Sequence, residues 1–85
     1  MKRRFEVIVK LKEDLLDPQG KALEDALPTM GWNEVSEVRV GKHITLTVDE
    51  EDAAKAREVV DDVARRLLSN PVIELYWVRE GTSPE

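Results

Sequence analysis

Four consecutive acids, Asp49-Glu50-Glu51-Asp52, are the densest group of potential metal ligands in the sequence. Carboxylates bind divalent cations, but a calcium-binding loop also requires a glycine and a terminal glutamate at fixed spacing. Neither follows the run here. Acids also collect at helix N-termini, because the backbone N–H groups there carry partial positive charge. The run therefore predicts the start of a helix rather than a metal site.

His43 and the pair Gly41-Lys42 are the other candidates for chemistry. A general base needs a partner that orients it, and the sequence places none at a recognisable spacing from His43. An exposed histidine at the start of a strand is the favoured interpretation. Gly41-Lys42 lacks the glycine-rich loop and the following Ser or Thr of a phosphate-binding loop. We interpret the pair as a tight turn whose lysine is available to contact an anion or a partner.

The composition excludes several classes of site. The 85 residues include no cysteine and one histidine, which rules out a disulfide framework, a cysteine-ligated metal, a thiol nucleophile and a multi-histidine metal centre. An acylphosphatase-like hydrolase would need an arginine and an asparagine around a phosphate-binding loop, and the sequence has no such loop. The sequence thus assembles no active site, and we expect this chain to bind no cofactor or metal.

Length and charge indicate one small acidic domain. Apolar residues make up 41% of the chain, charged residues 36%, and the net charge is −5. These values suit a single domain over residues 1–80, followed by a flexible tail at 81–85. An acidic total argues against nucleic acid as a partner. No apolar run is long enough to span a bilayer or to serve as a signal-peptide core, so the predicted location is the cytoplasm.

Four segments have the pattern of strands. Apolar and polar residues alternate, as in half-buried strands, over residues 4–12, 35–40 and 44–48. The last predicted strand, residues 72–79, is apolar on both faces. This last pattern indicates a strand that is covered from both sides.

Two segments have helical periodicity between these strands. The first helix starts at Asp17-Pro18, a capping residue followed by a proline at the first helical position, and Gly31 is a suitable C-terminal cap. Pro28 predicts a bend or a tighter turn at the preceding residue. The second helix starts at Asp49-Glu50 and stops at Asn70-Pro71.

The order βαββαβ predicts an α+β, ferredoxin-like fold. In this fold two helices cover one face of a four-stranded antiparallel sheet, and Gly41-Lys42 forms the hairpin between the second and third strands. Gly20 lies in the first turn of the first helix, where it lowers helix propensity. Spacing alone leaves two explanations open for it: a close backbone approach, or tolerance where the turn frays.

The helix-free face of this sheet distinguishes between functions. RNA-binding domains of this topology place stacking aromatic residues on their central strands. The outward residues predicted here do not include such aromatics; they are Glu6, Ile8, Lys10, His43, Thr45 and Thr47. The last strand, which is apolar on both faces, indicates instead that another chain covers part of this face, and self-association is the favoured interpretation.

Three strings of the sequence, in order, resemble the PurS family of small subunits of phosphoribosylformylglycinamidine synthase. They are Leu16-Asp17-Pro18-Gln19-Gly20-Lys21-Ala22, then Val35-Ser36-Glu37-Val38-Arg39-Val40-Gly41-Lys42, then Leu68-Ser69-Asn70-Pro71-Val72-Ile73-Glu74. The resemblance spans about residues 5–78 and implies the same βαββαβ plan. Two features depart from the family pattern: Glu13-Asp14 stands where a Pro-Gly-type turn is usual, and Pro28 lies inside the first helix.

The resemblance implies a non-catalytic subunit of a purine-synthesis complex. That complex uses ATP, Mg²⁺ and glutamine to convert formylglycinamide ribonucleotide to formylglycinamidine ribonucleotide, glutamate, ADP and phosphate. The small subunit is expected to form dimers or tetramers, to bridge the glutaminase and large synthetase subunits, and to assist ammonia transfer. The alternative that remains is a dimeric, ferredoxin-like domain that senses a small molecule.

Two sets of residues carry the site predictions. Turn and cap roles are expected for the motif positions Asp17, Pro18, Gly20, Gly41, Asn70 and Pro71. Partner contact is expected for Arg39, Lys42 and His43, because they lie at or near one predicted hairpin and have no evident role in the core.

Overall fold

The computed structural model describes residues 1–81 of the chain. In order along the chain, it contains strand β1, Lys2–Leu11; helix α1, Pro18–Ala26; a 3-10 turn, Pro28–Met30; strand β2, Gly41–Asp49; helix α2, Ala53–Val63; a π-helical turn, Ala64–Leu68; and strand β3, Glu74–Glu80. All of the predicted tail except Gly81 lies outside the described residues.

The sheet of residues 1–81 has three antiparallel strands in the order β2-β1-β3. Strand β1 is central: Val7, for example, pairs with Ile44 of β2 and with Val78 of β3. Because side chains alternate along a strand, every second residue of β1 enters the core. The core consists of residues from β1 and from α2 and the turn that follows it: Phe5, Val7, Val9, Ala56, Val60 and Ala64.

The predicted four-stranded sheet is wrong, because residues 35–40 do not join the sheet. Glu37 has φ 57°, a left-handed conformation that interrupts an extended strand. Side chains of α1 and of its cap accept hydrogen bonds from the backbone on either side of Arg39. The Val38 N–H donates to Glu24 Oε1 (2.9 Å), and the Val40 N–H donates to Asp17 Oδ2 (2.6 Å). Side-chain oxygens thus accept the hydrogen bonds that the carbonyl groups of a neighbouring strand would accept.

The predicted hairpin at Gly41-Lys42 is also wrong. These two residues are the first residues of β2, where they pair with Lys10 and Val9 of β1. Because no strand precedes them, no turn is formed at this point. The local pattern correctly indicated the strand that follows but not its starting residue.

The prediction that both helices cover the sheet is wrong for α1. Helix α2 packs across all three strands, whereas the main neighbour of α1 among the elements is the 3-10 turn that follows it. The described chain measures 51 × 34 × 14 Å with a radius of gyration of 16.4 Å. A compact domain of this length would have a radius of about 12 Å. Residues 13–40, here called the arm, therefore project from the body formed by the sheet and α2.

The predicted ends of the first helical region are confirmed, whereas the predicted start of the second helix is not. Asp17 caps α1, Pro28 begins a separate 3-10 turn, and Gly31 closes it at φ 98°, a conformation that glycine adopts without strain. Asp52, the last of the four acids, caps α2 by accepting from the N–H groups of Ala54 and Lys55 (2.9 and 3.2 Å). The acidic run thus precedes a helix, but the predicted start at Asp49-Glu50 is wrong, because Asp49 is the last residue of β2 and α2 begins at Ala53.

Candidate partner-binding surfaces

The face of the sheet opposite α2 exposes an apolar row. Ile8 of β1 pairs with Trp77 of β3, and Leu75 lies two residues before Trp77 on the same face. The Leu75 and Trp77 side chains are 43% and 50% exposed. The register confirms the predicted outward positions on β1 and β2, because Ile8 also pairs with His43 and Glu6 pairs with Thr45. Exposed apolar groups side by side on one face are typical of an interaction surface.

A charged cluster borders this apolar row. Glu6 Oε1 lies 2.5 Å from His43 Nε2, and the Arg79 Nε–H donates to Glu6 Oε2 at 3.1 Å. The hydrogen bond from Arg79, followed by that from His43, lowers the pKa of Glu6 below its ordinary value of 4.5. Sequence reasoning did not select Arg79, because its place beside Glu6 follows from the pairing of β1 with β3.

Arg39, Lys42 and His43 do not lie together. The Arg39 guanidinium donates to the Lys12 carbonyl oxygen (3.0 Å), and Lys42 Nζ donates to the Leu68 carbonyl oxygen (3.4 Å). Lys42 and His43 are consecutive residues of β2, so their side chains lie on opposite faces of the sheet. These residues are thus spread over three different surfaces, and their contact with a partner remains a prediction.

Asp17 joins the arm's helix to the segment that leads into β2. Its buried carboxylate accepts from the Gly20 N–H through Oδ1 (3.0 Å) and from the Val40 N–H through Oδ2 (2.6 Å). These backbone hydrogen bonds, that of Val40 most strongly, hold the pKa of Asp17 below its ordinary value of 3.8. The Asp17 side chain therefore links the start of the arm to its end by hydrogen bonds.

Gly20 lies directly against the same segment. A Cβ atom at this position would be 2.2 Å from the Val38 carbonyl oxygen and 2.8 Å from Asp17 Oδ2. Such distances are far inside van der Waals contact, so glycine is required for this close approach. Of the two explanations that the sequence left open, the structure supports the backbone approach.

The remaining motif residues lie in a cap, a strand and a turn. Pro18 is the first residue of α1, and Gly41 is the first residue of β2. Asn70 and Pro71 separate the π-helical turn from β3. There Asn70 Oδ1 accepts from the Val72 N–H (3.2 Å), and the Asn70 carbonyl oxygen accepts from the Glu74 N–H (2.7 Å).

Replacing Asp17 with asparagine is expected to destabilise the protein most at neutral pH. The folded carboxyl has a lowered pKa, so its contribution is complete above its unfolded pKa of 3.8 and is lost as the pH falls through the folded value. The difference in melting temperature between wild type and Asp17→Asn should therefore be largest near pH 7 and shrink toward pH 3. A difference that stayed constant across this range would contradict the assignment.

The arm carries its own exposed apolar side chains. Leu23 on α1 is 53% exposed, Met30 in the 3-10 turn is 66% exposed, and Leu16, Trp32 and Val35 are exposed as well. Since α1 makes no substantial contact with the sheet or with α2, these groups gain little burial within residues 1–81. The arm is thus a second surface suited to a partner.

Two classes of site are missing from the described residues. Residues 1–81 contain no group of three or more His, Cys, Asp or Glu side chains placed to hold a metal ion. The described part of the chain also has no helix of the length and hydrophobicity needed to cross a membrane.

Comparisons with known proteins agree with this architecture. Residues 4–80 match the family model PurS, described as phosphoribosylformylglycinamidine (FGAM) synthase. The chain is 44% identical, over 86% of each chain, to the phosphoribosylformylglycinamidine synthase subunit PurS of Bacillus subtilis. It is 38% identical to the protein of the same name from Methanocaldococcus jannaschii, over 86% of this chain and 88% of that protein.

Solved structures show the same chain path. The crystal structure of the purS subunit from Thermotoga maritima matches with a TM-score of 0.86 at 36% identity, covering 94% of this chain and 92% of the other. A chain of the PurLQS structure from the same organism matches with a TM-score of 0.87 at 36% identity, covering 94% and 98%. With a family model over nearly the whole length and relatives well above 30% identity, the chain belongs to the PurS family.

Proposed function

We propose that this chain is the small subunit of a phosphoribosylformylglycinamidine synthase in purine biosynthesis, and that it assembles the complex without catalysing a step itself. Its relatives carry the name of this subunit, and a close structural relative comes from a structure named PurLQS. The large synthetase and glutaminase subunits are the proposed partners, in the cytoplasm. ATP, Mg²⁺ and glutamine are then used by the complex and bound by those partners.

The observation that carries the assembly role is the exposure of two separate apolar surfaces on so small a chain. One is the open sheet face with Leu75 and Trp77, and the other is the arm with Leu23 and Met30. Burial of apolar area stabilises association by about 25 cal/mol per Å² before the costs of binding. Two such surfaces allow one copy to contact two neighbours. A chain that bridges subunits needs this property, and it also suits self-association into a dimer or tetramer.

Reconstitution of the enzyme tests the assembly role. The purified synthetase and glutaminase subunits are expected to form product from glutamine only when this chain is added, because the chain holds the two subunits together. With free ammonia in place of glutamine, the synthetase subunit should retain activity without it. The measurement is the rate of product formation with each nitrogen source, with and without the chain.

Bovine serum albumin at equal concentration serves as the control for nonspecific stabilisation of the partners. Full glutamine-dependent activity without the chain would contradict the proposal. Light scattering during size-exclusion chromatography completes the test, since the chain should shift into a larger species only when both partners are present.

A further inference from the structure

The last strand, β3, has a free edge within residues 1–81. The strand order β2-β1-β3 gives β3 one neighbour, the central strand β1. A strand at the edge of a sheet presents a row of backbone N–H and carbonyl groups that another polypeptide can pair with. The edge of β3 is therefore a surface on which a partner could be held by backbone hydrogen bonds.

The pairing of β3 with β1 shows which backbone groups point outward. In an antiparallel pair, residues whose backbone groups bond the neighbouring strand alternate with residues whose groups point away from it. The Gly81 N–H donates to the Arg4 carbonyl oxygen (2.8 Å), so by alternation Trp77 also faces β1. The backbone groups of Tyr76 and Val78 therefore face the free edge.

A side chain of α2 covers only part of this edge. The Arg57 guanidinium donates to the Val78 carbonyl oxygen (2.6 Å), which agrees with the outward direction of that group. Charged side chains often protect edge strands in this way. Within residues 1–81 the Tyr76 N–H, the Tyr76 carbonyl oxygen and the Val78 N–H have no such cover. One residue, Tyr76, thus has both of its backbone groups available.

An open groove of about 770 Å³ lies beside this edge, between α2 and β3. Its lining includes charged residues of α2 and half-buried residues of β3: Arg57, Glu58, Asp61 and Asp62, with Tyr76 and Val78. A strand added to the edge of β3 would run along this groove. Its side chains on the α2 side of the sheet would then meet these charged residues.

Two carboxylates of the groove have no cationic partner within residues 1–81. Glu58 and Asp61 form no ion pair there, and they lie three residues apart on one face of α2. Asp61 accepts from the Tyr76 hydroxyl (2.9 Å). This hydrogen bond raises the pKa of Tyr76 above its ordinary value of 10.0, so the hydroxyl stays a neutral donor. The groove therefore suits a positively charged side chain.

We propose that the free edge of β3 binds an extended segment of a partner protein, with a lysine or arginine of that segment opposite Tyr76. A residue in this position exchanges two backbone hydrogen bonds with Tyr76, and its side chain lies on the same face of the sheet as the Tyr76 ring. On that face the added cation meets Glu58 and Asp61. Backbone bonds then give affinity and the charged side chain gives specificity. The inference goes beyond the assembly role, because it specifies the groups that hold the partner segment.

Charge favours a different protein over a second copy as the occupant. The arm carries seven acids and two basic residues, so its charge has the same sign as the Glu58 and Asp61 pair. The basic N-terminal residues Lys2, Arg3 and Arg4 belong to β1, which is already paired on both sides. Like charges placed together oppose association. A basic segment of another polypeptide fits the groove better than either of these parts of this chain.

Titration of the isotope-labelled chain with two synthetic peptides, followed by NMR, tests the inference. The probe is acetyl-Thr-Val-Thr-Lys-Thr-Val-Thr-amide, and the control peptide has glutamate in place of lysine. With the probe, the amide signals of Tyr76 and Val78 should shift saturably, and their hydrogen exchange should slow about tenfold or more. The amides of Trp77 and Arg79 face β1 and should exchange slowly with and without peptide.

Matched variants test the role of charge. The control peptide should bind at least about tenfold more weakly than the probe, because it brings a like charge to Glu58 and Asp61. Glu58→Lys should weaken binding of the probe by about tenfold for the same reason. Glu13→Lys makes the same charge change in the arm and should alter binding by less than about twofold. Both side chains are exposed, so both variants should fold.

Each other outcome overturns the inference. Equal binding of the two peptides, or no saturable binding at millimolar peptide, would show that the edge does not select a basic segment. Shifts confined to Glu6 and Thr45 would place the peptide on the open face. If the amides of Tyr76 and Val78 were protected without peptide and became exposed on dilution, a second copy would be the occupant. The isolated chain is used throughout, so these outcomes are separate from the reconstitution result.

Discussion

Phe5→Ala is expected to lower the free energy of unfolding by about 3–5 kcal/mol, the usual cost of removing a fully buried aromatic side chain. Phe5 is fully buried and is the largest member of the small core formed by β1 and α2. Domains of this size have stabilities of about 5–15 kcal/mol. The loss is therefore a large share of the total, and few neighbouring core residues are available to fill the cavity.

Urea unfolding followed by circular dichroism measures this loss. Thr45→Ala on the exposed face of β2 is the matched control, because surface changes of this kind usually fall within about 0.5 kcal/mol of wild type. Both variants should be compared at the same protein concentration, since self-association adds to apparent stability. A change below about 1 kcal/mol for Phe5→Ala would show that the core lies elsewhere.

Gly20→Val is expected to separate α1 from the segment that leads into β2. The added Cβ would lie 2.2 Å from the Val38 carbonyl oxygen, and this oxygen belongs to the backbone and cannot rotate away as a flexible side chain can. Overpacking in a tight site costs about 1–3 kcal/mol, enough to break the hydrogen bonds that Asp17 and Glu24 make with residues 38–40. The body should stay folded, because no core residue lies in the arm.

Limited proteolysis and light scattering together check this result. The variant should be cleaved within residues 13–40 faster than wild type and should lose self-association, while α2 and the sheet stay protected. Ala22→Val, at an exposed position of the same helix, controls for the lower helix propensity of valine. If Gly20→Val and Ala22→Val behaved alike, the close approach at Gly20 would have no structural importance.

The features that sequence reasoning predicted correctly depend on residues close together in the chain. Alternation over β1 placed Phe5 and Val7 inside and Glu6 outside, as the register confirms. Asp17, Pro28 and Gly31 gave the ends of the first helical region because caps and prolines act on their own backbone. The resemblance of short strings to the PurS family was confirmed by a match over residues 4–80.

The candidate surfaces were predicted only in part. The outward positions of β1 and β2 follow from a period of two, so the open face could be described in advance. The cluster of Glu6, His43 and Arg79 could not, because it depends on which strands are neighbours and in what register. The grouping of Arg39, Lys42 and His43 failed for the same reason, since it assumed a hairpin that does not exist.

The sequence by itself indicated both helices and the three strands that form the sheet, which side of β1 is buried, and to which family the chain belongs. Only the tertiary structure decided that residues 35–40 leave the sheet and that α1 lies apart from it. The physical reason is that alternating apolar and polar residues indicate a half-buried segment but do not indicate which other element covers it. For residues 38–40 the hydrogen-bond acceptors are Asp17 and Glu24 of the arm, and the hydrophobic stripe of α1 finds no cover on its own sheet.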